Sequence, residues 1–220
     1  MNSPFLQNWK RFLAWGMAKA NEADEQAIEL QDCQDYATMA ELKRSLLGNL
    51  QGRVLEIGPG SGLNLSYYPK EIHWIGVELN PFTQTYLQEE AQRLGLKYVD
   101  FRTGSAEQLD LEDNSIDAVV STYVLCAVAN LTESLQEILR VLKPGGHFLF
   151  IEHVAAKEGT WTRRLQGWVR PFWKVVFDGC HPDRETGLAL QNAGFKHLRY
   201  QQFQVAIPVV SPHIAGVAIK

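Results

Sequence analysis

Short apolar runs alternate along the chain with segments whose apolar residues recur at three- and four-residue spacing. The first pattern suits buried strands and the second amphipathic helices. Arg53 to Ile57 predicts a first strand, followed by the turn Gly58-Pro59-Gly60-Ser61-Gly62 and a short helix near Leu63 that stops before Pro69. His73 to Leu79 predicts a second strand, ending in Glu78-Leu79-Asn80-Pro81. Asn80 suits a helix cap and Pro81 a first helical position. The helix that follows carries Phe82, Tyr86, Leu87 and Leu94 and stops at Gly95. Tyr98 to Arg102 predicts a third strand and Ser115 to Thr122 a fourth, which Asp117 opens. Leu135, Ile138, Leu139 and Leu142 trace a helix that Lys143-Pro144-Gly145-Gly146 ends, and His147 to His153 predicts a fifth strand. A helix near Pro182 and a last strand pair follow. This alternation predicts an α/β fold with a doubly wound, mostly parallel sheet.

The first 50 residues differ. Asn2 to Ala20 reads as a helix with Phe5, Trp9, Phe12, Leu13 and Gly16 on one side and Lys10, Arg11 and Lys19 interspersed. Residues 21 to 50 also read as helical: Glu22, Glu25, Glu29 and Asp32 alternate with Ala23, Ala27, Ile28 and Leu30. A second helix there holds Met39, Leu42, Leu46 and Leu47 and stops at Gly48-Asn49. The expected organisation is an N-terminal helical cap over 1–50 on a sheet domain over 51–220, forming one structural unit. The basic residues of the first helix interrupt any signal-peptide core. Its aromatic stripe is expected to pack on the domain and help cover a ligand, with a membrane surface as the alternative. The segment from Trp161 to Phe177, with Trp168, Phe172, Trp173, Arg163, Arg164, Arg170 and Lys174, reads as a lid or as an amphipathic helix with a basic face.

Composition narrows the class. A chain of 220 residues can bury one sizeable core. Its net charge of −4 gives nucleic acid no electrostatic attraction. Cys33, Cys126 and Cys180 lack C-x-x-C spacing, so they suit a reducing, cytoplasmic setting and their spacing supports neither a metal site nor a nucleophile. No apolar run is long enough to span a bilayer.

The candidate chemistry begins in the glycine turn. Glycine permits positive φ and close backbone approach, and the spacing is G-x-G-x-G with Glu56 just before it. Glu78 stands where an acid at the end of the second strand of such folds accepts from ribose hydroxyls, with Leu79 and Asn80 beside it. Backbone groups at Ser105 and Ala106, flanked by Glu107, would meet an adenine edge. Thr122, Tyr123 and Cys126 would face the crevice at the carboxyl edge of the sheet. Tyr36 precedes the glycine loop and is a further candidate.

Leu55-Glu56-Ile57-Gly58-Pro59-Gly60-Ser61-Gly62, Glu78, Gly104-Ser105-Ala106-Glu107 and Leu139-Arg140-Val141-Leu142-Lys143-Pro144-Gly145-Gly146 occur in that order. Together they resemble the class I S-adenosylmethionine-dependent methyltransferases, over about residues 36 to 154. Val124-Leu125-Cys126, Glu152-His153-Val154-Ala155-Ala156, Trp161, Phe177-Asp178-Gly179-Cys180, Arg184-Glu185-Thr186 and Pro212-His213-Ile214-Ala215-Gly216 extend the likeness to the C-terminus. These resemble the animal thiol S-methyltransferases of the methyltransferase-like group. The resemblance implies a Rossmann-like, seven-stranded sheet with an antiparallel last strand, and S-adenosyl-L-methionine as cofactor. With the readings above, the expected cofactor site comprises Glu56, Gly58, Gly60, Gly62, Glu78, Leu79, Asn80, Ser105, Ala106, Glu107, Thr122, Tyr123 and Tyr36, the last with a core-edge tyrosine as its alternative. Methyl transfer from a sulfonium needs alignment and exclusion of water, and no metal is expected. A thiol reacts as its thiolate, and His153 and His213 are the candidate proton acceptors or thiolate stabilisers. A small, apolar thiol or hydrosulfide is the first expectation for the acceptor. A lipid-linked quinone or amine, and a non-catalytic cofactor-binding module, are the alternatives. Those relatives carry a longer hydrophobic N-terminal anchor that this chain does not show, so any membrane contact is expected to be peripheral.

Overall fold

The computed structural model describes residues 4–20 and 25–220, apart from the side chains of Phe5, Ala20 and Gln26. Helix α1 (Pro4–Ala20) forms as the stripe predicts. Phe5 in that stripe, and Glu22 and Ala23 beyond it, lie outside the described side chains or residues. The helix expected over 21–50 is largely replaced. A 3-10 turn spans Glu25–Ala27, strand β1 covers Leu30–Gln31, and only α2 (Met39–Leu47) is α-helical. The cause is a distant partner: Leu30 pairs with Val205 and buries among Met39, Leu42 and Phe203, and Asp32 turns the chain at φ 59°. Thr38 and Glu41 then start α2 with a reciprocal capping box.

The remaining elements are β2 (Arg53–Ile57), β3 (His73–Glu78), α3 (Gln84–Leu94), β4 (Tyr98–Thr103), β5 (Ile116–Thr122) and α4 (Leu131–Val141). They continue as β6 (Leu142–His153), α5 (Trp161–Val176), α6 (Thr186–Asn192), β7 (His197–Val205) and β8 (Pro212–Ile219). The sheet runs β1-β7-β8-β6-β5-β2-β3-β4. Neighbours from β6 to β4 are parallel, while β8 is antiparallel to both β6 and β7. The doubly wound architecture is as expected, with β1 added as an eighth, edge strand.

Four boundaries differ. The helix expected from Pro81 begins as a separate 3-10 turn over Pro81–Thr83 capped by Asn80, and α3 itself starts at Gln84. The helix expected near Leu63 is a 3-10 turn over Leu65–Tyr67. Strand β6 begins at Leu142 rather than His147, with a register shift in its pairing to β5. Helix α6 starts at Thr186 instead of near Pro182. Arg184 donates to the carbonyls of Leu125 and Val128, and its own carbonyl accepts from Ala155, so residues 181–185 are drawn over the sheet edge as a loop.

Alternate strand residues serve opposite faces. Leu55, Ile57, Val119 and Phe148 bury on one side with Leu135 and Ile138 of α4. Val54, Trp74, Val120 and Leu149 bury on the other with Leu87 of α3. Each such side chain contributes about 1.5–3 kcal/mol of burial. Because the central strands are parallel, Ile57, Glu78, Thr103, Thr122 and His153 all end at one edge. The order reverses between β2 and β5, where ligands of such sheets bind.

Candidate active site

The loop after β2 fits a close-approaching ligand. Gly58, Gly60 and Gly62 take φ of +60°, +56° and +93°. A Cβ on Gly58 would lie 2.5 Å from a Val124 methyl, and one on Gly62 would lie 2.8 Å from Leu65. A Cβ on Gly60 would meet only Met17 Sδ of α1, at 3.2 Å, so α1 lies over the loop.

Glu78 ties this loop to the turn after β3. One carboxylate oxygen accepts from Gly60 N at 2.9 Å and the other from Asn80 N at 2.8 Å. Burial pushes its carboxyl pKa up, against the pull of these backbone donors. Leu79 stands 60% exposed beside it. Asn80 Oδ1 caps the turn through Phe82 N, and its Nδ2 donates to the Lys10 carbonyl of α1 at 3.0 Å. Arg11 lies 4.8 Å over the Phe82 ring. The first helix is thereby fixed beside the loop, as its packing reading requires, although Phe12 and Trp15 remain about half exposed.

Glu56 is buried, and its carboxylate is fully engaged. It accepts from Asn64 Nδ2 (2.8 Å), the Tyr68 hydroxyl (3.0 Å) and Trp74 Nε1 (3.0 Å). Burial raises its carboxyl pKa, opposed by those three donors. Asn64 Nδ2 also donates to Thr122 Oγ1, linking the loop to the end of β5. Glu56 therefore positions the glycine loop through Asn64. Below it, Lys43 and Glu25 form a buried ion pair at 2.6 Å, and the Tyr67 hydroxyl donates to Glu25.

After β4, Ala106 is buried in the core and the Ser105 hydroxyl bonds Glu107. Glu107 also accepts from Ala129 N and Asn130 N, at 2.6 and 3.2 Å, at the start of α4. Partial burial pushes the Glu107 carboxyl up, but these donors more than offset it and hold it below its usual range. Tyr36 belongs to a different cluster: its hydroxyl pairs with Ser45 at 2.7 Å and its ring packs by Leu30 and Met39.

The other half of the crevice is aromatic and thiol-bearing. Tyr123 follows β5 at φ 59°, and its ring centroid lies 5.5 Å from that of His213 and 6.5 Å from that of His153. The two histidines are opposed across β6 and β8. His213 Nδ1 lies 2.8 Å from the Ser211 carbonyl, so that nitrogen carries the proton and Nε2 is left with its lone pair. Burial lowers the His213 pKa to about 4. His153 Nε2 lies 3.1 Å from Cys180 Sγ. The hydrogen bond of Cys126 to Cys180, with burial, pushes Cys126 up, while that same bond and His153 bring Cys180 down.

Asn64, Tyr68, Trp74 and Glu152 are site residues that sequence reasoning missed. Glu152 is fully buried; one oxygen accepts from Ser121 Oγ and from Val124 and Leu125 N, and the other has no partner. An acid closing the apolar run Phe148 to Ile151 was its available signal.

Comparison with known proteins agrees with this geometry. A methyltransferase-domain family model matches residues 55–150. A human thiol S-methyltransferase is 39% identical, covering 83% of this chain and 80% of its own length. A rat thiol S-methyltransferase is 36% identical over 84% and 81%. Among solved structures, the cyclase SpnF has a TM-score of 0.71 at 19% identity, covering 96% of this chain and 93% of its own. A putative methyltransferase from Bacillus halodurans has a TM-score of 0.65 at 16% identity, covering 82% and 97%. The cofactor is S-adenosyl-L-methionine, and among the described residues no helix is long and apolar enough to cross a membrane. The chain belongs to the thiol S-methyltransferase family of S-adenosylmethionine-dependent methyltransferases.

Proposed function

We propose that this enzyme methylates the sulfur of a small, apolar thiol or hydrosulfide in the crevice between the glycine loop and Tyr123. The observation that carries the proposal is the meeting of Tyr123, His153 and His213 at the same sheet edge as Gly58, Gly60 and Glu78. The thiol activity named for the human and rat relatives supports it.

The fit to S-adenosylmethionine rests on three features. The backbone at Gly58, Gly60 and Gly62 has the positive φ and bare Cα atoms of a close-approach loop. Glu78 offers acceptor lone pairs at the end of β3, with Leu79 exposed beside it for an apolar ring and Asn80 fixing the turn. Ser105, Ala106 and Glu107 border the adenine position, while Thr122 and Tyr123 floor the reacting end. Glu56 acts through Asn64. The cofactor supplies a methyl group on a sulfonium sulfur, and the acceptor sulfur forms a new S–C bond as the old one breaks.

The chain's part is to align the acceptor, shield the reacting atoms from water and orient the leaving proton. His213, kept neutral because burial lowers its pKa to about 4, offers Nε2 as a hydrogen-bond acceptor for the thiol S–H, and its ring is held by Ser211 and by Phe203 at 5.5 Å. A thiol with an ordinary pKa near ~8.5 needs only modest help of this kind. Free thiols at Cys33, Cys126 and Cys180 support a reducing, cytoplasmic location. Peripheral membrane contact is supported by α5, where Trp161, Trp168, Phe172 and Val175 are each at least 70% exposed on one side with Arg164 and Lys174 nearby. The test is methyl-labelled cofactor with a small apolar thiol, a quinone and a phosphatidylethanolamine vesicle. Labelled thioether is expected, and label only in the lipid extract would overturn the thiol proposal.

A further inference from the structure

We propose that Cys126, His153 and Cys180 form a three-ligand site for a soft divalent cation of the zinc class, with an open fourth position for the acceptor sulfur. The last clause rests on the thiol reading above; the site itself does not. The three residues come from separate elements: the loop after β5, the last residue of β6 and the loop after α5. One ligand atom from each lies within 4.8 Å of the others, and all three side chains are buried. Two sulfurs and one imidazole nitrogen are a donor set that selects zinc over magnesium or calcium. Tetrahedral zinc places sulfur ligands about 3.8 Å apart and sulfur and nitrogen about 3.6 Å apart, given its bond lengths. The His153–Cys180 distance of 3.1 Å needs a small opening and the wider pairs a contraction of at most about 1 Å, within reach of side-chain rotation.

The surroundings also favour a site with one position free. Three protein ligands with a vacant fourth position is the arrangement of catalytic rather than structural zinc. No fourth His, Cys, Asp or Glu joins the cluster among the described residues. The Tyr123 ring stacks on His153 and meets His213, which places the acceptor wall against this cluster. Arg184 is held beside the loop of Cys126 by the carbonyls of Leu125 and Val128. Two cysteine thiolates neutralise a divalent cation. A third, exogenous thiolate leaves one negative charge, which the Arg184 guanidinium balances. On binding, the acceptor S–H bond breaks, its proton passes to water, and its sulfur electron pair joins the cation. No oxidant or reductant is needed.

The test uses the full chain, reduced and stripped with chelator, titrated with cobalt(II) and then zinc(II). About one equivalent of cobalt is expected, with a thiolate-to-cobalt charge-transfer band that zinc removes. Cys126→Ser and Cys180→Ser should each weaken binding at least about tenfold while circular dichroism stays that of a folded chain. X-ray absorption of the zinc-loaded wild type, which needs no variant, should give two sulfurs and one nitrogen. Absence of stoichiometric binding, or a shell of oxygen and nitrogen alone, overturns the site. A small thiol added without cofactor should shift the cobalt band. No shift, in a protein that still methylates that thiol, overturns the fourth-position clause and leaves the thiol reading standing. A shift with no methylation of any thiol supports the site and counts against the thiol reading.

Discussion

Replacing Glu78 with alanine separates a ligand contact from a merely structural acid. Its carboxylate accepts from Gly60 N and Asn80 N, so alanine leaves both backbone donors without their partner. Hydrogen bonds to a charged group are worth roughly 1.5–3 kcal/mol each, but the site is partly open and water replaces part of this. Burial already disfavours the carboxylate, which offsets more of the loss. A net destabilisation of about 2 kcal/mol is expected, lowering Tm by about 4–8 °C for a chain of this size. Cofactor affinity should fall further. The two ribose hydroxyls lose their acceptor and the Gly60 backbone loses its anchor, so Kd should rise at least about tenfold, equivalent to ~1.4 kcal/mol. Glu78→Gln keeps one acceptor oxygen but turns an amide N–H₂ toward a backbone N–H, so it should fall between wild type and alanine. Calorimetric titration of both variants, beside their unfolding midpoints, is the assay. A folded Glu78→Ala protein with lowered Tm and wild-type Kd would refute the ribose contact and leave Glu78 as a brace for the loop.

Gly60→Val should abolish cofactor binding measured by calorimetry while circular dichroism stays native, because a branched side chain opposes φ +56° and fills the loop's open face. Glu25→Gln should cost about 3 kcal/mol or more in denaturant melts, since it leaves Lys43 buried and charged without its partner; a matched Glu25→Leu, Lys43→Met double variant should cost less. Deleting residues 1–15 should raise the cofactor Kd, because Asn80 loses the Lys10 carbonyl and Phe82 loses Arg11; an unchanged Kd would reduce α1 to surface packing.

Much of the fold could be read because it is local. The run Arg53 to Ile57, the cap and proline at Asn80-Pro81, and the stop at Gly95 carry their structure within a few residues. Thr38 and Glu41 carry an equally local capping-box spacing, which the helical reading of 21–50 passed over. Leu30–Gln31 could not be read this way. Its acidic and apolar alternation fits a helix until Val205 offers a strand to pair with. The glycine loop and Glu78 were legible as a site because the spacing of a parallel sheet fixes them. The use of Glu56 was not, because Asn64, Tyr68 and Trp74 reach it from three different segments. The cysteines show the same limit. Cys126 and Cys180 lack metal-type spacing, and only the parallel order of β5 and β6 with the return of the loop after α5 brings them to His153.

Methyl transfer from S-adenosylmethionine to sulfur takes place in the proposed crevice of Tyr123, His153 and His213. The most direct measurement is the rate of labelled thioether formation from a small apolar thiol, comparing wild type with His213→Ala at saturating cofactor. Labelled thioether is expected from the wild type, with a much lower kcat and unchanged cofactor Kd in the variant. Wild-type protein that binds the cofactor yet yields no thioether from any thiol, or a His213→Ala variant with full kcat, would contradict it.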